Sequence, residues 1–151
     1  MTTNELDRLG LRGRTVTGIA VTRDEGGLIL HTDGGDVVWG TDADCCSETW
    51  FADIIGLNAI LGHEVLAVTL IQPEPGTRAA DEGRTRQESD TIDGVALITA
   101  VGHCEIFWRN SSNGWYGGSI FHVGGEDTPD WYPIWAPSVD DLIEVTEDWS
   151  A

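Results

Sequence analysis

The sequence contains no lysine. All 8 of its basic residues are arginine, against 26 aspartates and glutamates, for a formal charge of −18. A field of that sign repels phosphate backbones at long range and favours basic partners, so direct nucleic-acid binding is not expected. Mimicry of nucleic acid stays open beside the commoner reason for such a charge, which is solubility. Long hydrophobic runs are also missing. Nothing approaches the roughly 20 apolar residues of a membrane span, and Met1–Asp7 lacks the basic and apolar stretches of a secretory signal, so a soluble, cytoplasmic protein is expected. Cysteine is scarce. The 3 present cannot all pair within one chain, and adjacent Cys45 and Cys46 bridge only through a strained ring, so reduced thiols are expected.

Catalytic signatures are missing as well. There is no phosphate-binding loop, dinucleotide fingerprint, nucleophile elbow or His-Glu-x-x-His helix, so no catalytic residue and no cofactor are assigned. At 151 residues the chain is expected to form one domain, 1–151.

Hydrophobic periodicity predicts an α+β fold, a mostly antiparallel sheet with one or two short covering helices. Asn4–Leu9 reads as a helical turn or two. Thr15–Thr22 and Leu28–Thr32 read as a hairpin extended by Val37–Thr41, and Glu64–Ile71 as a buried strand that Pro73 and Pro75 end. Phe51–Leu61 has apolar residues near helical spacing and predicts a short packed helix ended by Gly62. Residues 72–92 have no apolar period and read as a mobile loop. Gly94–Val101 and His103–Arg109 read as strands. Trp115–Val123 is a further strand after a tight turn at Asn113-Gly114. The tail 124–151 begins with an irregular aromatic stretch containing Trp131, Tyr132 and Trp135. It closes on a helix that Ser138 would cap, running to about Trp149.

Two segments stand out chemically. In the first, Asp42 to Trp50, an extended chain would put Asp42, Asp44, Cys46, Glu48 and Trp50 on one face. Zinc is disfavoured, because adjacent cysteines on a strand point apart and no Cys-x-x-Cys pair exists; no metal site is assigned. The favoured reading makes Cys45 a small core hydrophobe. A thiol nucleophile served by His63 or His103 is the minority reading, since Asp44 and Glu48 oppose thiolate formation. In the second segment, Arg109, Asn110, Asn113, Trp115 and Tyr116 offer a guanidinium, two amides and stacking faces suited to a small planar anion. Arg8, Arg12 and Arg14 could add phosphate contacts. Against this stands the plainer reading that Trp108 and Trp115 pack in the core while asparagines and glycines shape a turn.

Together these features carry a family resemblance: an acidic pair running into Cys45-Cys46 and Glu48, a short apolar helix ending in a Leu-Gly-type turn, and the late Ser-Asn-Gly-aromatic-Tyr hairpin. Over about Thr15 to Phe121 the chain resembles a family of small phage and bacterial proteins known as a domain of unknown function, departing from it in a long insert after Ile71. The resemblance implies a phage association and hence the host cytoplasm, but no activity. Three functions are therefore weighed. The first is a phage-type accessory protein that acts by binding, sequestering a small nucleotide signal of host defence. The second is an acidic inhibitor or nucleic-acid mimic that occupies a basic groove of a host protein. The third is a thiol or hydrolytic enzyme using the acidic Cys-Cys segment. Self-association into a homo-oligomer is compatible with each, and no membrane contact is expected.

Overall fold

A computed structural model describes residues 3–132 and 141–151. Its strands overturn the α+β expectation. Among the described residues strand accounts for 51% and helix for 10%, so the fold is nearly all-β. The helix α1 covers Thr3–Leu9. Eleven strands follow among the described residues: β1 Thr15–Thr22, β2 Gly27–Thr32, β3 Gly35–Ala43, β4 Glu48–Ile55, β5 His63–Glu64, β6 Ala67–Ile71, β7 Ser89–Thr99, β8 Gly102–Ser112, β9 Gly118–His122, β10 Leu142–Val145 and β11 Trp149–Ser150. No helix among the described residues is long and apolar enough to cross a membrane.

Two antiparallel sheets enclose one core. The first runs β10-β1-β2-β3-β9, with β5 also pairing with β1, and the second runs β11-β4-β8-β7-β6. Alternation sends Val16, Ile19, Leu28, Leu30, Val37 and Trp39 inward from the first sheet, where they meet Phe51, Ile54, Val95, Leu97, Ile106 and Trp108 from the second. The helix α1 packs near β6 and β9, the outermost long strands of the two sheets. Its Leu6 and Leu9 enter the core, and Trp39 Nε1 donates to the Leu9 carbonyl at 2.9 Å.

The helix expected over Phe51–Leu61 is instead β4 followed by a single 3-10 turn, Leu57–Ala59. A bulge explains the misreading. The register with β8 shifts between Phe51 and Asp53, so Ala52 is an extra residue, and the inward positions Phe51 and Ile54 lie three apart instead of two. That interval imitates a helix. Gly56, at φ 83°, then turns the chain. The C-terminal helix fails for a different reason. Ser138 lies outside the described residues, but Leu142–Val145 is a strand pairing with β1, and Trp149–Ser150 pairs with β4. Ile143 and Val145 suit a strand, and sheet edges were available to take them. Asp148, within the expected helix, lies between β10 and β11, and its Oδ1 accepts the Gly56 and Leu57 amides, both at 3.0 Å.

Of residues 72–92, read as a mobile loop, Ser89–Ile92 open β7, and the stretch before them lies over the outer face of the second sheet and carries two 3-10 turns, Arg78–Ala80 and Glu82–Arg84. Ala79 is buried. Arg84 Nη1 donates to both Asp53 carboxylate oxygens at 3.0 and 2.9 Å. The Arg86 guanidinium stacks 3.9 Å above the Trp50 ring, and the Arg86 and Gln87 amides donate to Ser111 Oγ.

Candidate functional site

The two chemically unusual segments meet, although neither has the expected form. Asp44–Ser47 is a turn, not a strand: it carries the chain from β3 in the first sheet to β4 in the second. Residues 113–117 likewise carry it from β8 to β9, so the expected tight hairpin is a corner between sheets. Of Asn113 and Gly114, only Gly114 has a positive φ, at 97°. The two corners are clasped. The Asp44 amide donates to the Gly117 carbonyl, and the Gly117 amide donates to Asp44 Oδ2, both at 2.9 Å. Ser47 Oγ lies 2.9 Å from the Asp44 carbonyl and 3.2 Å from that of Gly117.

Gly118 makes the close approach workable. A Cβ there would overlap Thr49 Oγ1 and the Asn110 amide group. The Gly117-Gly118 pair directly after Tyr116 was the sequence signal for two backbones meeting here, and sequence reasoning passed over it.

The proposed ligand residues are not brought together. On β8, Trp108 and Asn110 point toward the first sheet, whereas Arg109 points to the opposite face, beneath residues 72–88. There its side chain has no exposure, with Nη1 2.6 Å from Asp90 Oδ2 and Nη2 donating to the Ala79 carbonyl at 2.8 Å. Arg109 Nε is buried with no partner among the described residues. Asn110 Nδ2 lies within 3.3 Å of Ser47 Oγ, the Glu48 carbonyl and Thr49 Oγ1, buttressing the corner. Asn113 Oδ1 accepts the Trp115 amide at 3.1 Å, a local turn bond. Trp115 itself is 87% exposed and Tyr116 41%.

Arg12 and Arg14 sit elsewhere. Arg12 pairs with Asp7 at 2.6 Å, and the Arg14 guanidinium covers Gly34. Gly34 precedes the start of β3, while the clasp adjoins its end, a separation of roughly 25 Å at about 3.3 Å per residue. Arg14 and burial together hold the His122 imidazole below its ordinary pKa, burial being the larger cause. Of the aromatic tail, Trp131 and Tyr132 stack edge-on against Phe121, and Trp135 lies outside the described residues.

Cys45 is exposed, not in the core. Its Sγ lies 3.3 Å from Cys46 Sγ, and Cys46 has φ 70°. The hydrogen bond and charge of Cys45 raise the Cys46 thiol pKa. His103 begins β8, whose opposite end adjoins the clasp, and His63 lies in β5 beside Val16. Neither serves the thiols as a base. No three His, Cys, Asp or Glu side chains among the described residues converge to hold a metal ion.

Two hollows flank the clasp and share Ser119. One, about 320 Å³, is lined by Asp42, Asp44 and the backbone of Gly117 and Gly118. The other, about 410 Å³, opens beside α1 between Arg8, Leu70, Gln72, Asp93 and Trp108. Sequence reasoning missed the second, because its walls come from five separate elements, α1, β6, β7, β8 and β9.

No curated protein and no solved structure matches the chain. A family model does, over residues 10–122, from just before β1 to the end of β9, and it takes in both clasped corners. The chain belongs to the family described as Domain of unknown function (DUF7448).

Proposed function

We propose that this protein acts by binding, and that its working surface is the clasped corner, with Trp115 and Tyr116 as apolar anchors set among the carboxylates of Asp42, Asp44 and Glu48. The partner is a basic protein surface. The observation that carries this reading is the contrast between Trp115, 87% exposed, and Arg109, 0% exposed. Exposed tryptophan is uncommon on a monomer surface and is enriched among the residues that dominate protein–protein affinity. With Arg109 turned away and ion-paired, the corner presents acids and aromatics, which repel a phosphate and suit guanidinium or ammonium groups. The acidic-inhibitor reading therefore has more support than nucleotide sequestration. The phage association, which would make the partner a host protein, rests on the family resemblance and not on the geometry.

Sequestration of a small nucleotide-like anion has one observation in its favour, the 410 Å³ cleft that joins Arg8 to the Trp108 wall. A synthetic arginine-rich peptide and a panel of mononucleotides and cyclic dinucleotides separate the two readings. Docking predicts that the peptide binds with steep salt dependence and that Trp115→Ala weakens it by roughly 2 kcal/mol, about thirtyfold. Nucleotide binding that Arg8→Ala abolishes and Trp115→Ala leaves intact would overturn docking in favour of the cleft.

A further inference from the structure

We infer that Cys45 and Cys46 form a modification site, a vicinal dithiol that closes to a disulfide by exchange with a low-molecular-weight disulfide and, in closing, loosens the clasp that holds the Trp115 corner. Two observations place the chemistry. Both thiols are exposed, and their sulfurs already stand 3.3 Å apart, so closure needs a small further approach and no partner from elsewhere in the chain. Cys46 occupies the left-handed region at φ 70°, which brings its side chain back over its neighbour instead of leaving the two on opposite faces of a strand. Asn, Asp and Gly adopt such a conformation readily, whereas cysteine there carries a conformational cost that the turn imposes.

The chemistry balances as two exchanges. The Cys45 thiolate attacks oxidised glutathione, forming a mixed disulfide and releasing one glutathione thiolate. The Cys46 thiolate then attacks the Cys45 sulfur, the intramolecular S–S bond forms, and the second glutathione leaves. Both cysteine protons end on the glutathione thiols, so the dithiol loses two electrons and the small disulfide gains them. Adjacent Cα atoms lie about 3.8 Å apart, below the range of ordinary disulfides, so the ring is strained and readily reduced again. The raised pKa of Cys46 leaves Cys45 to react first, and the exchange is faster under mildly alkaline conditions.

Coupling to the corner follows from position. The dithiol is bracketed by Asp44 and Ser47, the two residues that grip Gly117. Drawing the sulfurs together twists the intervening peptide, and the nearest compliant bonds are those between Asp44 and Gly117. The biological consequence, control of docking by oxidation, rests on the function proposed above, whereas the closure and the loosening do not.

The test therefore reads thiols and amides, not binding. Wild-type protein is incubated with oxidised glutathione, alkylated, and cleaved after arginine. Cys45 and Cys46 then fall in the peptide Asp24–Arg78, and Cys104 in Gln87–Arg109. The inference expects the first peptide to lose both alkylation sites together, without a glutathione adduct, and mild reductant to restore them. Hydrogen exchange at the Asp44 and Gly117 amides should accelerate by roughly tenfold in the oxidised form, the effect of losing about one net hydrogen bond. Cys46→Ser should stop at the Cys45 mixed disulfide and leave those amides slow. A mixed disulfide that never closes in wild type, disulfides only between molecules, or a closed ring with unchanged amide exchange would each overturn it.

Discussion

Arg109 and Asp90 form an ion pair of 2.6 Å in which the arginine side chain is wholly buried and the aspartate side chain is 5% exposed. The pair ties β8 to the start of β7 and, through the Ala79 carbonyl, to the segment that crosses the sheet. A residue with the chemistry of a ligand contact is therefore a fastener.

Arg109→Met should destabilise the fold by roughly 3–5 kcal/mol, because Asp90 is left charged under cover without its main partner. Urea denaturation measures the loss. Limited proteolysis of folded variant protein should also show cleavage within residues 72–92 well before wild type is cut there. A variant as stable and as resistant as wild type would show that the pair contributes nothing.

His31 reaches over Gly18 to link three strands. Its Nδ1 is 2.9 Å from Asp36 and its Nε2 is 3.0 Å from Glu144 on β10, and a Cβ at Gly18 would crowd the ring. The Asp36 hydrogen bond, with the Glu144 contact adding to it, raises the imidazole pKa above its ordinary 6.5. A group whose folded pKa is raised contributes stability that is complete below the unfolded value and is lost as pH rises through the folded one. The stability difference between wild type and His31→Asn should therefore be largest in mild acid and shrink above neutrality. Both carboxylates are more than half exposed, so the full effect should stay below about 1 kcal/mol. Thermal melts of the two proteins across that range check it. The His122 shift, of opposite sign, cancels in the comparison.

Cys104 lies in the core, where burial first, then the Asp148 and Glu105 carboxylates, push its thiol pKa up to about 12. A thiol-reactive probe on native protein at mildly alkaline pH should modify Cys45 and Cys46 and spare Cys104 until denaturant is added. Three equivalent thiols in the native protein would contradict the packing of β8.

The first three strands were legible because their turns are local. Asp24-Glu25-Gly26 and Asp33-Gly34-Gly35 mark the reversals, and apolar residues alternate between them. What failed depends on distant chain. Arg109 and Trp108 are neighbours on one strand and must face opposite ways, but which face is covered by polar partners is decided by a segment some twenty residues earlier. The meeting of the Cys-Cys turn with the Asn-Gly corner was hidden in the same way, since it follows from two strands changing sheets side by side. The helix expected at the C-terminus fell to a partner, β1, more than a hundred residues away.

The bulge in β4 makes the strand unequal in its tolerance of changes in chain length. Losing any one of Phe51, Ala52 or Asp53 removes the extra residue and leaves Ile54 facing inward, but losing Phe51 empties its place in the core and losing Asp53 removes the carboxylate that holds Arg84. Losing Ala52 costs neither side chain. It would still remove the carbonyl that receives the Ala151 amide at 2.8 Å and Arg84 Nη2 at 3.2 Å. At this position the phase of the strand and the anchorage of Ala151 can thus be separated by a single codon deletion.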